Sequence, residues 1–224
     1  MTTFNIAAGH NPDGMIACGV TSLLKESTEA RKITAQLCAN LKAITGVVAN
    51  DFTCNDGTSA ADVLQKVVKS CNAVDATLNI NIHLNASVSH NAGGVEVYTY
   101  SENSNANVAA LNIVNEIAAL GFKNRGVKYS KSLYFLRKTK QPALLIECCF
   151  ADYEDDVALY KTVDIAAAIT RALITTYGLQ AVSNYVGNTP IYRVQVGAFA
   201  NRSNAEIILN KLIADGYSAR IVES

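Results

Sequence analysis

The chain has 224 residues, half of them hydrophobic, no tryptophan, and 19 basic side chains balanced by 19 acidic ones. That is the composition of a globular protein with room for one large domain, or one ordinary domain plus a small module. The charge balance supplies no basic field for a nucleic-acid backbone, and no run approaches the ~18 consecutive apolar residues of a membrane helix. The start, MTTFNIAAGH, lacks the basic and long apolar regions of a signal peptide, so synthesis in the cytoplasm is expected. The six cysteines, Cys18, Cys38, Cys54, Cys71, Cys148 and Cys149, form no CxxC pair and are expected to be reduced thiols, several of them small core residues.

In chain order, Phe4 to Ala8 reads as a strand that ends in the turn chemistry of Gly9-His10-Asn11-Pro12. A helix is expected from Ser27 to Thr45, because Ile33, Leu37, Leu41 and Ile44 recur at spacings of three and four and Gly46 marks the stop. Val47 to Ala49 is a short strand, and Ser59 followed by Asp62 resembles a capping box opening a helix with Leu64, Val67, Val68 and Cys71. The run ATLNINIHLNA, residues 76 to 86, alternates strictly, so Asn79, Asn81, His83 and Asn85 share one strand face and need partners there. VEVYTY after Gly93-Gly94 is a strand, and Asn105 to Leu120 a helix. Lys123 to Ser132 reads as a polar, basic loop, Leu133 to Arg137 and Ala143 to Cys148 as strands, and Asp155 to Thr176 as mostly helical up to Gly178. Leu179 to Pro190 reads as a linker. Beyond it lie a strand over Ile191 to Ala198, a helix over Ser203 to Ala214 and a strand over Ser218 to Val222.

Strands alternating with amphipathic helices predict an α/β fold, a twisted, mainly parallel sheet flanked by helices, plus a small C-terminal βαβ unit. In such a sheet, ligands collect at the carboxyl ends of the strands. Three strands deliver His10, His83 and Glu147 to that edge, and the chain has only three histidines. The pattern suits a zinc hydrolase site. There is no HExxH, so the two-histidine helix of the thermolysin type is excluded.

Several ordered blocks carry a family resemblance: GH at 9–10, KES at 25–27, NIHLNAS at 81–87, GGVEVYTY at 93–100, NRGVK at 124–128, LYFLR at 133–137 and PALLIECCF at 142–150. Over residues 1–178 the chain resembles the zinc-dependent N-acetylmuramoyl-L-alanine amidases of autolysins, sporulation lysins and phage endolysins. The resemblance implies Zn2+ held by His10, Glu26 and His83, with Glu147 as catalytic residue, and peptidoglycan as the partner and substrate. Lys123, Arg125, Lys128, Lys131 and Arg137 form a basic cluster that reads either as a solvated loop or as a surface for the free carboxylates of the stem, with Asn85, Arg125 and Lys128 as the candidate substrate contacts. Glu29, one helical turn from Glu26, competes for the third ligand position, and Glu26 also suits a helix N-terminus for dipole reasons alone. Residues 191–224 are similar to the opening half of a SPOR peptidoglycan-binding domain, which suggests a dimer completed through that half-module. On this reading the chain acts on the cell wall after release on lysis.

Two rival readings come from the same residues. A non-catalytic wall-binding protein could keep the fold, although intact His10, His83 and Glu147 argue against it. A thiol peptidase could use Cys148 or Cys149 beside His83, but both lie in an apolar run without cationic neighbours, where thiols stay inert. His90 reads as an exposed loop residue.

Overall fold

The computed structural model describes residues 1–180, 195–214, 216–217 and 219–222. The chain divides into two compact units at about residue 185. The first carries β1 (Thr2–Ala8), α1 (Glu26–Lys42), β2 (Val47–Asp51), α2 (Ala60–Asn72), β3 (Leu78–Asn85), β4 (Val95–Thr99), α3 (Asn107–Ala118), β5 (Asn124–Tyr129), α4 (Tyr134–Lys138), β6 (Ala143–Phe150), α5 (Glu154–Leu159) and α6 (Thr162–Tyr177). The strands form one six-stranded sheet in the order β2-β1-β3-β6-β4-β5. Only the β6–β4 pair is antiparallel; the other pairs are parallel. The mainly parallel α/β sheet expected from the alternation is therefore present. No helix among the described residues is long and apolar enough to cross a membrane.

The two faces of the sheet are covered unequally. On one face, α1, α3 and α6 bury Ile33, Leu37, Leu41, Ile113 and Ile169 against Ile6, Ile80, Ile82 and Ile146. The spacing of three and four along α1 places those side chains on one stripe. On the other face, α2 and α4 are short, and their Val67, Cys71, Phe135 and Leu136 cover Ala7, Ala143 and Leu145. Beyond Leu145 that face is left to polar side chains. The cap of α2 follows the sequence: Ser59 Oγ accepts from Asp62 N–H at 3.1 Å.

The asparagines of β3 find their partners on this second face. Asn50, Asn5 and Asn79 stand in register across β2, β1 and β3. Asn50 Nδ2 donates to Asn5 Oδ1 at 3.0 Å, and Asn5 Nδ2 donates to Asn79 Oδ1 at 3.1 Å. Asn5 Nδ2 also reaches the carbonyls of Cys71 and Val74 at 3.1 Å, so the ladder ties the sheet to the end of α2 by hydrogen bonds instead of apolar packing.

Two expected elements differ. Residues 124–129 of the expected loop form the edge strand β5, which pairs only with β4. An edge strand has one solvated side, so NRGVKY can be polar and unalternating and still pair. The expected strand at 133–137 is the short helix α4, in which the successive residues Phe135 and Leu136 are both buried against α2; a short apolar run fits either state until its neighbours decide. In the second unit the helix is present as α7 (Arg202–Ala214). The described residues of the two expected flanking strands, 195–198 and 219–222, are not in strands, and α7 buries none of its side chains among the described residues. Residues 181–190 of the expected linker, and 191–194 and 218 of the strands, lie outside the described residues.

Asn5→Ala would strand the buried Asn79 Oδ1 and remove the partner of Asn50 Nδ2 and a donor to the carbonyls of Cys71 and Val74. The expected loss is on the order of 2–3 kcal/mol of unfolding free energy, read as a lowered urea midpoint with unchanged slope.

Candidate metal centre and its acidic row

The centre is built where β1 and β3 end and α1 begins. Gly9 N–H donates to Ile82 O at 3.0 Å, which carries the β1–β3 pairing one residue past the strand and aims His10. Gly9 is needed there for space: a Cβ would lie 1.9 Å from the His83 ring, so the imidazole rests on the bare backbone. Gly19, at φ +75°, plays the same part for the carboxylate, since its Cβ would sit 2.4 Å from Glu26 Oε2 and 2.8 Å from His10 Cδ2.

One oxygen is shared. Glu26 Oε1 lies 3.1 Å from His10 Nε2 and 3.0 Å from His83 Nδ1, and the two rings meet edge to face at 4.8 Å. Backbone N–H groups hold the carboxylate in place, Val20 on Oε2 at 2.9 Å and Leu84 on Oε1 at 3.2 Å. Glu26 itself is buried. Burial opposes its ionisation, but hydrogen bonds and charge from His10 and His83 outweigh that and hold its pKa well below the ordinary carboxylate range. Burial pushes the His83 pKa down, against the pull of Glu26.

The tautomer of His83 follows from its other neighbour. Asn81 donates from Nδ2 to Ala7 O at 3.0 Å, and a carbonyl can only accept, so the amide orientation is fixed. Asn81 Oδ1 then faces His83 Nε2 at 2.9 Å and must receive a proton from it. Neutral His83 thus turns the lone pair of Nδ1 toward Glu26 Oε1. Two acceptors at that distance require a positive charge between or beside them, either a proton or a cation. One nitrogen from each imidazole and one carboxylate oxygen all lie within 4.8 Å of one another, and this donor set suits zinc.

A row of carboxylates continues from His83 across the sheet. His83 is paired with Glu147 on β6, and Glu147 with Glu96 on β4. Glu147 Oε2 is closed off from solvent and has no hydrogen-bond partner. Burial, then the charges of Glu26 and Glu96, push its carboxyl pKa up to about 8. Glu96 is buried and fully engaged. Its Oε1 accepts from Asn85 Nδ2 at 2.9 Å and Tyr98 OH at 3.0 Å, and its Oε2 from Arg125 Nε at 2.9 Å.

The vicinal cysteines explain a shift in register. His83 pairs with Glu147 but Asn85 with Phe150, so Cys148 and Cys149 together oppose Leu84 in a β-bulge. Both thiols are buried in the core under α1, α3 and α6, the opposite face from the imidazole, and burial pushes their pKa values up. That geometry removes the thiol-nucleophile reading.

His10, Glu26 and His83 are therefore brought together, with Glu147 next in the row. Glu29 is turned away, bonded to Lys32 Nζ at 2.8 Å and Tyr160 OH at 3.0 Å. Asn85 and Arg125 join the row through Glu96, whereas Lys128 is exposed on β5, paired with Tyr98. His90 bonds through Nδ1 to Asp152 at 2.7 Å in the loop after β3. Glu96 is the site residue that the sequence reading missed. Its signal was a carboxylate between Val95 and Val97, in a strand whose position left it no water.

Asn81→Ala should free the His83 tautomer and lower zinc affinity about 10–100-fold, measured by competition with a chromophoric chelator. A second expectation concerns pH in the presence of chelator. The unfolded chain releases the Glu147 proton near 4.5, the folded chain near 8. Between those values the folded state holds the extra proton, so stability falls as pH rises from 4.5 toward 8 and levels off above. Glu147→Gln should flatten that decline, by on the order of a few kcal/mol, in urea melts at the two ends.

A family model described as N-acetylmuramoyl-L-alanine amidase matches residues 5–176, and a model of the SPOR domain matches residues 188–224. An uncharacterized protein of Clostridium perfringens (strain 13 / Type A) is 31% identical over 70% of this chain and 46% of its own length. The sporulation-specific N-acetylmuramoyl-L-alanine amidase of Bacillus subtilis is 27% identical over 75% of this chain and 61% of its length. The chain thus spans about half the length of the curated relatives it matches. Among solved structures, the catalytic domain of the CD27L endolysin targeting Clostridia difficile shares the fold, with a TM-score of 0.71, 23% identity, and coverage of 78% of this chain and 98% of that one. The amidase AmiC2 of Nostoc punctiforme has a TM-score of 0.65 at 27% identity, over 79% of this chain and 97% of that one. With a zinc-type donor set at the strand ends and a family match over most of its length, this chain belongs to the N-acetylmuramoyl-L-alanine amidase family.

Proposed function

We propose that this chain hydrolyses the amide between the lactyl group of N-acetylmuramic acid and the L-alanine of the peptidoglycan stem, with zinc as cofactor. The observation that carries the reading is the meeting of two imidazoles and a carboxylate beside a second carboxylate, Glu147, that has no partner of its own. His10, Glu26 and His83 would hold the metal. The chemistry supplied by zinc at such a donor set is Lewis acidity, which polarises a carbonyl and eases the loss of a proton from water.

The rest falls to the chain's own side chains. Glu147 takes a proton from the attacking water on its carboxylate and returns it to the departing amine of L-alanine, which leaves poorly unprotonated. A buried carboxyl with no hydrogen-bond partner of its own is free to do both. Asn81 keeps the His83 Nδ1 lone pair turned inward throughout. Asn85 and Arg125, fixed through Glu96, and Lys128 on the edge strand would meet the substrate. The segment matching the SPOR domain would hold the enzyme on the wall. Pairing with a second copy would cover α7, which buries none of its side chains among the described residues.

The test is digestion of purified cell wall with and without EDTA, followed by labelling of new amino termini. L-Alanine should appear as the new terminus, and only without EDTA; any other terminus contradicts the bond assignment. Glu147→Gln should keep its zinc and lose about 10²–10⁴-fold in turnover. Zinc content with no hydrolysis by the unmodified chain would favour a binding protein instead.

A further inference from the structure

Glu96 is a buried carboxylate beside the centre with no part in the proton transfers above. A charge removed from water persists only with matched partners, and Glu96 has three side-chain donors. One of them is held on several sides. The Arg125 guanidinium gives its Nε–H to Glu96 Oε2 at 2.9 Å and lies 5.0 Å from the centre of the Phe150 ring. Its Nη1 reaches Gly93 O only loosely, at 3.4 Å. Phe150 pairs with Asn85 because of the bulge at Cys148 and Cys149.

The remaining guanidinium N–H groups have no partner among the described residues, and the side chain stays 30% exposed. They border a cleft walled by Gly93, Lys123, Tyr153 and Asp155. Lys123 adds a second cation there, and both carboxylates of the lining are already engaged, Asp155 by Tyr153 OH at 2.7 Å and Asp156 by the backbone N–H groups of Gly94 at 2.8 Å and Phe150 at 2.7 Å. A planar fork anchored through Nε leaves its end N–H pair oriented for the two oxygens of a carboxylate. Arg125 stands on β5, two strands from β6, and is bonded to Glu96, the residue of β4 paired with Glu147, which faces the scissile amide in the proposed mechanism.

We infer that Arg125, positioned by Glu96, receives a free carboxylate of the stem peptide, on the peptide side of the bond that is cut. The inference rests on the amidase reading. The glycan offers no free carboxylate once its lactyl group is in the amide, so the anion belongs to the peptide. Glu96 acts through Arg125 and is a positioning residue. Anchoring the side chain before the ligand arrives removes much of the rotamer entropy that binding would otherwise cost.

The experiment is calorimetric binding to the full zinc-loaded chain carrying Glu147→Gln, which leaves the ligand uncut. The probes are an N-acetylmuramoyl dipeptide ending in an acidic residue and the same molecule with its carboxylates converted to amides. The acid form should bind at least about tenfold more tightly. Adding Arg125→Ala should abolish the preference, and Arg125→Lys should restore only part of it. Glu96→Gln should weaken the preference in the Arg125 chain and change nothing further in the Arg125→Ala chain. Equal binding of the two probes to the parent, or an Arg125→Ala loss shared equally by both, overturns the inference. If Glu96→Gln fails to fold, judged by circular dichroism, the two Arg125 variants still decide. Wall digestion separates this from the parent reading: L-alanine termini with no probe preference sink the carboxylate site alone, whereas the absence of L-alanine termini sinks the amidase reading.

Discussion

The constraint on which the site depends is one carboxylate oxygen facing two imidazole nitrogens. Glu26 Oε1 is within 3.1 Å of both His10 and His83, in a place closed to bulk water. Without a positive charge that arrangement repels itself, because Asn81 has already committed the only proton of neutral His83 to the other side of the ring. The surrounding residues serve the contact. Gly9 and Gly19 give up side chains so that a ring and a carboxylate can lie against backbone, and two backbone N–H groups hold the carboxylate from behind. A proton on His83 or a divalent cation can satisfy the site, and either leaves the hydrogen bonds from Asn81, Val20 and Leu84 in place.

The sheet supplies this geometry. Parallel β1, β3 and β6 all end at one edge, and β4, running the other way, begins there, so His10, His83, Glu147 and Glu96 arrive on neighbouring strands. Unequal covering of the two faces keeps the row accessible. Three helices seal the apolar face, while α2 and α4 reach only as far as Leu145 on the other. The bulge at Cys148-Cys149 turns both thiols into the core and shifts the pairing so that Phe150 meets Asn85 next to Arg125.

Much of this was legible from the chain alone. Period two in LNINIHLN placed the asparagines and His83 on one face, and the structure gives each asparagine a partner, Asn81 the imidazole itself. The alternation of strands and amphipathic helices carried the fold class. What escaped reading depends on tertiary position. Asn124–Tyr129 is a strand only because β4 offers an edge, and Tyr134–Lys138 a helix only because α2 offers a surface. Glu29 and Glu26 differ by three residues, and it took Tyr160 from a distant helix junction to show which one is turned away. Glu96 was hidden for a similar reason: a single acid in a strand signals burial only once both flanking strands are known.

The central claim is the identity of the metal's donors, and zinc K-edge absorption on the purified chain reads it directly. The account predicts a shell of nitrogen and oxygen only, at about 2.0–2.2 Å, with the outer-shell scattering of two imidazoles. His10→Ala and His83→Ala should each remove one imidazole from that signal. A sulfur shell at about 2.3 Å, or an unchanged imidazole signal in either variant, would place zinc elsewhere and contradict the account.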